Sequence, residues 1–176
     1  GDGNHSLATA KACYENLKKE IGEKALSSKS RYALVELVNL HSDALEFEAI
    51  NRVIFNTDKD KLLNSLKEYY TINKKGNGQE FKVVTDSIDE TWYIENPKSN
   101  IAVGSIQMFL DDYLKDNVGK IDYIHGEDVT KSLASKDNNV GFIFDAMAKE
   151  DLFKTVILDG ALPRKTFSMG HANDKR

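Results

Sequence analysis

The chain reads as an α+β protein, a mixed β-sheet with helices packed on it. Three observations carry that reading. Apolar residues recur at helical spacing in several separate stretches. Short runs rich in β-branched and aromatic residues lie between them in irregular order, not as a strict βα repeat. One pair of such runs, residues 81–85 and 91–95, is close enough to form a hairpin. With 40% hydrophobic residues among 176, the chain can build a real core.

The elements follow in order. Residues 6–20 form a helix, because Leu7, Ala10, Tyr14, Leu17 and Ile21 share one face, and Gly22 stops it. Cys13 falls in this pattern as a small core residue. Residues 23–30 are a polar loop. Residues 31–40, led by Tyr32-Ala33-Leu34-Val35, read as a buried strand. His41-Ser42-Asp43 is a polar break. Residues 46–55 are a second strand, with Glu46, Glu48, Ile50, Arg52 and Ile54 on one face and Phe47, Ala49, Asn51, Val53 and Phe55 on the other. Charges on so apolar a strand need partners, and Glu48 with Arg52 reads as an internal ion pair or as part of a site.

Thr57 is the expected N-cap of a helix over 58–70, with Leu62, Leu63, Leu66 and Tyr70 inward. Lys74-Lys75-Gly76-Asn77-Gly78 is a turn, and the hairpin follows with Trp92 and Tyr93 as typical strand residues. Residues 97–100 are a linker. Ile106, Phe109, Leu110 and Tyr113 mark a helix ending near Asn117. Residues 121–125 are a short strand, 127–134 a short helix, and 139–144 a buried strand. Residues 149–158 form a last helix, with Leu152, Phe153, Val156 and Ile157 apolar, stopped at Gly160.

The organisation is that of a single domain over 1–176. The chain begins abruptly at Gly1, with no initiator Met and no preceding strand, so the reading expects an N-terminal part of a larger protein before it. The net charge of −4 argues against a general nucleic-acid surface. The apolar runs are too short to span a membrane. A lone cysteine excludes an intrachain disulfide, and no signal peptide is visible, so the expected location is the cytoplasm.

The opening Gly1-Asp2-Gly3-Asn4-His5-Ser6 is a tight turn running into a helix. Glycines let a ligand approach the backbone, Asn4 or Ser6 can cap, and the helix start offers free N–H groups beside a histidine. Such a place holds phosphate or carboxylate, and it is equally a capped surface helix. Three further clusters stand out: His41 and Asp43 with Glu46, Glu48 and Arg52; His125-Gly126-Glu127-Asp128, where a strand end meets a helix start; and Arg164-Lys165-Thr166-Phe167-Ser168, whose cations and hydroxyls suit phosphate oxygens. Each also has a plain structural reading, as an ion pair, a helix start or a solvated basic strand. No Walker A, His-Glu-x-x-His, Gly-x-Ser-x-Gly or cysteine-rich metal pattern is present, so no metal ligands are assigned.

The runs DGNHSLATAKA, RYALVELVNLHSDALEFEAINRVIFN, IAVGSIQMFLDDYL, IDYIHGEDV and DGALPRKTFSMG together resemble the bacterial family called domain of unknown function 1015, in its clostridial form. The resemblance runs over essentially the whole chain, as the larger C-terminal part of such proteins. The opening motif also resembles the Asp-Gly-x-His-Arg signature of the ParB/sulfiredoxin-like superfamily, which includes nucleotide-dependent free-serine kinases. Ser6 stands where that superfamily often has Arg. Asn51-Arg52 stands where other branches of the family have His-Arg, and Lys165 with Thr166 matches the family's C-terminal Lys-Ser/Thr element.

The resemblance implies a nucleotide-dependent kinase, in the full-length protein, acting on a small hydroxylated metabolite such as serine. On it, Asp2 and His5 are the catalytic candidates. Gly1, Gly3, Asn4 and Ser6 hold the phosphates of ATP or ADP with Mg²⁺. Arg52, Lys165, Thr166 and His125 contact phosphate or substrate. The alternative is a non-enzymatic nucleotide-binding sensor or scaffold module. The expected partner is a small molecule, not nucleic acid or membrane, and the oligomeric state is open.

Overall fold

The computed structural model describes residues 4–35, 37–43, 45–160 and 162–169. They fall into two compact units, Gly1–Ser42 and Asp43–Arg176.

The first unit is built on helix α1, Asn4–Ile21, which the positive φ of Gly22 (59°) ends. Two 3-10 turns follow, Gly22–Ser27 and Lys29–Arg31. The apolar face of α1 is only partly covered: Tyr14 and Leu17 are half-buried, while Leu7 and Ile21 are exposed. Cys13 is exposed, not a core residue. The buried strand expected over residues 31–40 is absent among the described residues. That stretch is irregular, and Leu34 and Leu37 are fully exposed. A strand needs a partner for its N–H and C=O groups, and no described residue pairs with this segment. Its apolar, β-branched composition supplied only half of the condition.

The second unit contains the sheet. Its strands are β1 (Phe47–Phe55), β2 (Ile72–Asn73), β3 (Gln79–Val84), β4 (Asp89–Ile94), β5 (Lys120–His125), β6 (Val140–Ile143) and β7 (Phe167–Met169). The order is β2-β4-β3-β6-β1-β5, with β7 paired to the start of β1. The α+β class is as the sequence indicated. Every pairing among the described residues is antiparallel, where a mixture was expected.

Helices α2 (Lys59–Tyr69) and α3 (Ala102–Asp116) cover one face of the sheet. Leu62, Leu66, Phe109 and Leu110 pack there against Ile54, Phe81, Val140 and Phe142. Each such side chain contributes about 1.5–3 kcal/mol by leaving water. Helix α4 (Glu127–Ala134) covers the other face and lies so close that a Cβ on Gly141 would meet Ala134 Cβ at 2.7 Å. Asp58, not Thr57, caps α2, by accepting from Lys61 N at 3.0 Å. Thr57 is instead buried, one residue too early to reach the free N–H groups. Helix α5 (Lys149–Asp159) ends at Gly160 as expected, yet of its apolar residues Leu152 is buried while Phe153 and Ile157 are exposed. No helix among the described residues is long and apolar enough to cross a membrane.

Candidate functional site

Arg52 is the centre of the second unit. It lies mid-way along β1 between β5 and β6, directly opposite Tyr123 and Phe142, and is completely buried. Its Nε donates to Gln107 Oε1 (3.1 Å), Nη1 to the carbonyls of Ile50 and Lys165 (2.5 and 2.8 Å), and Nη2 to the carbonyl of Arg164 (2.9 Å). The guanidinium sits 4.9 Å from the Tyr123 ring centroid and 5.8 Å from that of Phe144. Burial pulls its pKa down to about 10, against the opposing pull of Tyr123 and Asp111, and it stays charged at neutral pH. The buried charge is therefore stabilised by carbonyls and an amide, and not by an ion pair with Glu48.

Those bonds hold a turn. Pro163, Arg164, Lys165 and Thr166 reverse the chain before β7, with Thr166 Oγ1 donating to Pro163 O at 2.6 Å. Lys165 has φ of 58°, a left-handed conformation that costs a non-glycine residue roughly 1–2 kcal/mol. Two charge-assisted bonds from Arg52 to this turn, worth about 1.5–3 kcal/mol each, offset that cost. The carbonyls of Arg164 and Lys165 point inward and both side chains are exposed. Thr166 is buried and engaged in the turn.

A cleft of about 550 Å³ opens beside the turn, lined among others by Lys98, Gln107, Asp111, Tyr123, Asp159 and Arg164. Gln107 joins the buried cation to the cleft, accepting from Arg52 and donating through Nε2 to Asp111 Oδ1 at 2.8 Å. Lys98 lies 3.6 Å from the ring centroid of Tyr69. Asp159, at the end of α5, accepts from Ser99 Oγ (2.7 Å), from Asn100 N (2.6 Å) and from the Asn100 side chain. Burial alone would raise its pKa, but these bonds outweigh that and hold it below the usual carboxylate range. Gly104 lets the 99–101 loop sit this close, since a Cβ there would meet Ser99 Oγ at 2.2 Å.

The cluster around His125 divides between the two faces of the sheet. His125 is opposite Ile50, so it shares the face of Glu48 and Arg52, and its Nδ1 lies 3.6 Å from Glu48 Oε2. Glu127 turns to the α4 side and pairs with Lys82 (2.7 Å) and Lys131 (3.0 Å), which lower its pKa. Asn51 also faces α4. Its Nδ2 donates to Gly126 O (3.2 Å) and Thr130 Oγ1 (3.0 Å), and its Oδ1 accepts from Phe144 N (3.2 Å). It is a fully used stitch between β1, the start of α4 and the end of β6.

Of the opening motif, Gly1, Asp2 and Gly3 lie outside the described residues. Asn4, His5 and Ser6 form the first turn of α1, where Ser6 is exposed and inside the helix, not at its cap. That turn carries no acidic residue. Sequence reasoning missed Lys98, Gln107, Asp111, Tyr123 and Asp159. The i, i+4 spacing of Gln107 and Asp111 on α3, and the i, i+2 spacing of Tyr123 and His125 on β5, were the available signals.

Residues 1–113 match the family described as protein of unknown function (DUF1015). The chain belongs to this family. The match takes in Arg52, Gln107 and Asp111, while Tyr123, His125, Arg164 and Lys165 of this DUF1015 protein lie beyond it. No curated protein and no solved structure matches the chain.

Proposed function

We propose that this DUF1015 protein binds a small anionic, hydroxylated molecule in the cleft beside Arg52, and that the full-length protein carries out nucleotide-dependent phosphoryl transfer to a small metabolite such as a serine-like amino acid. The observation that carries the binding reading is the turn at 163–166. A fully buried guanidinium holds a left-handed basic residue in place and sets Arg164 at a polar cleft. Strain of this kind is retained where the surroundings over-determine it, and it accompanies ligand sites. Arg164 and Lys98 supply positive charge for a carboxylate or phosphate, and Asp111 and Tyr123 supply polar contacts for hydroxyl and ammonium groups. Arg52 acts on this site by positioning and by its charge, because four of its five N–H donors already serve protein acceptors.

The nucleotide part rests on the resemblance of the opening motif. Asp2, Gly3, Asn4 and His5 would hold the phosphates of ATP or ADP with Mg²⁺. An 18-residue helix with no acidic residue in its first turn fits an anion at that end. Phosphoryl transfer asks little covalent chemistry of the protein, mainly position and charge.

The test is thermal shift with ATP, ADP, CTP and GTP plus Mg²⁺, with and without L-serine. Binding at a hundredfold excess over Kd stabilises by about 2.7 kcal/mol. A nucleotide shift lost in His5→Ala, a further serine shift lost in Arg164→Glu, and nucleotide consumption only when both are present are the expected results. Binding without turnover would replace the kinase with a nucleotide sensor. No shift with any nucleotide would remove the nucleotide reading.

A further inference from the structure

We infer that Asp111 sets the specificity of the cleft: its carboxylate takes a ligand ammonium group, so the cleft selects a zwitterionic amino acid over an acid that lacks the amine. This deepens the binding reading above and rests on it, but it does not depend on the nucleotide.

Hydrogen-bond direction carries the argument. Arg52 is a donor only, so the Gln107 atom that faces its Nε must be the amide oxygen. Nε2 of Gln107 then lies on the opposite side, where it meets Asp111 Oδ1 at 2.8 Å. An N–H aimed at Oδ1 needs a lone pair there. Turning the amide over would set donor against donor at Arg52 and oxygen against oxygen at Asp111. Gln107 is buried, one turn before Asp111 on α3. The buried cation therefore fixes, through one amide, the direction of a carboxylate at the cleft.

The other end of that carboxylate is available. Among the described residues no hydrogen bond reaches Asp111 Oδ2. Lys115, one turn further along α3, bonds Asp112 instead, at 2.7 Å. Asp159, the second carboxylate among the described cleft residues, is already occupied by Ser99 and Asn100. Arg164 and Lys98 line the same cleft and take the carboxylate of the ligand. A cleft that carries cations and one fixed anion suits a molecule with both charges. An ammonium brings three donors to the acceptor that Gln107 leaves open. A ligand that is only anionic gains from Arg164 and Lys98 but is repelled by Asp111, so selectivity comes from the repulsion as well as the attraction. Gln107 acts through Asp111 and is a positioning residue.

The test is calorimetric titration of the whole chain at about pH 7, without nucleotide, with L-serine and with 3-hydroxypropanoate, the same molecule less its amine. Wild type should bind L-serine about 10- to 100-fold tighter, the worth of one charge-assisted bond. Asp111→Asn removes the charge at nearly constant size. It should bring that ratio close to one, with 3-hydroxypropanoate bound as well as before or better. Gln107→Leu should also lower the ratio, whereas a merely structural loss would weaken both ligands alike. Equal binding of the two acids by wild type, or a preference that survives Asp111→Asn, overturns the inference and leaves the cleft as a plain anion site. Binding of neither acid removes the cleft reading and this inference with it. No turnover is measured, so failure of the phosphoryl-transfer reading would leave these outcomes unaffected.

Discussion

Replacing Arg52 by Met tests whether one buried cation holds the C-terminal turn and the cleft together. Met fills similar length without donors. It removes four hydrogen bonds, to Gln107 and to the carbonyls of Ile50, Arg164 and Lys165. Bonds from a charged donor contribute about 1.5–3 kcal/mol each, so the gross loss is roughly 6–12 kcal/mol. Burying the charge costs something in return. The depression of its pKa to about 10 corresponds to about 3 kcal/mol that Met regains. The lost acceptors find water only in part, and the net destabilisation should be about 3–5 kcal/mol, the range for breaking a buried charged network. A domain with 5–15 kcal/mol in total survives this, but narrowly. Urea unfolding gives the total. Hydrogen exchange gives the location, with the amides of β7 losing protection before those of β3 and β4. Arg52→Lys keeps the charge and should recover less than half of the loss, because an ammonium cannot reach four acceptors arranged for a planar fork. A loss below about 1 kcal/mol, or uniform loss of protection over the sheet, would refute the clamp.

Three further outcomes follow from the same geometry. Asp58→Ala should cost about 1 kcal/mol by removing the cap of α2, whereas Thr57→Val should be neutral or stabilising, because the buried Thr57 hydroxyl has no hydrogen-bond partner; paired thermal melts decide, and a costlier Thr57→Val would reverse the cap assignment. Gly104→Ala should cost about 1–3 kcal/mol, since its Cβ would strike the Ser99 hydroxyl that is bonded to Asp159, and an unchanged melting temperature would contradict this close approach. Tyr70 has its pKa pushed up to about 12 by burial, with Tyr69 adding to the effect and the bond to Ser105 O opposing it. A folded-state pKa above the unfolded value means that the folded chain holds this proton longer, so the stabilisation is complete below about pH 10 and is lost as pH rises towards 12. Phenolate absorbance of wild type against Tyr70→Phe should show one late-titrating tyrosine missing from the variant.

Residues 81–95 and 105–116 show how much the sequence determined unaided. A hairpin and an amphipathic helix are recorded in local spacing, and the structure has β3, β4 and α3 where that spacing put them. Residues 31–40 carry an equally apolar pattern and form no strand among the described residues, because pairing depends on a partner elsewhere in the chain. The choice between Thr57 and Asp58 as a cap was one residue wide, and only backbone geometry could make it.

The candidate site was less legible still. Arg52 stood out as a charge on an apolar strand, but three of its four acceptors lie 55 and more than 110 residues away, and most are main-chain carbonyls that every residue possesses. Composition cannot announce a carbonyl. Local sequence, through spacing and breaker residues, determined most helices, whose bonds join neighbours four positions apart, and marked the strands by their apolar runs, but not which strands pair. Tertiary structure alone decided that Gln107, Tyr123 and Arg164 would meet around one guanidinium. Antiparallel register and the packing of α3 bring those distant residues within hydrogen-bond reach, and neither is written in any single stretch of the chain.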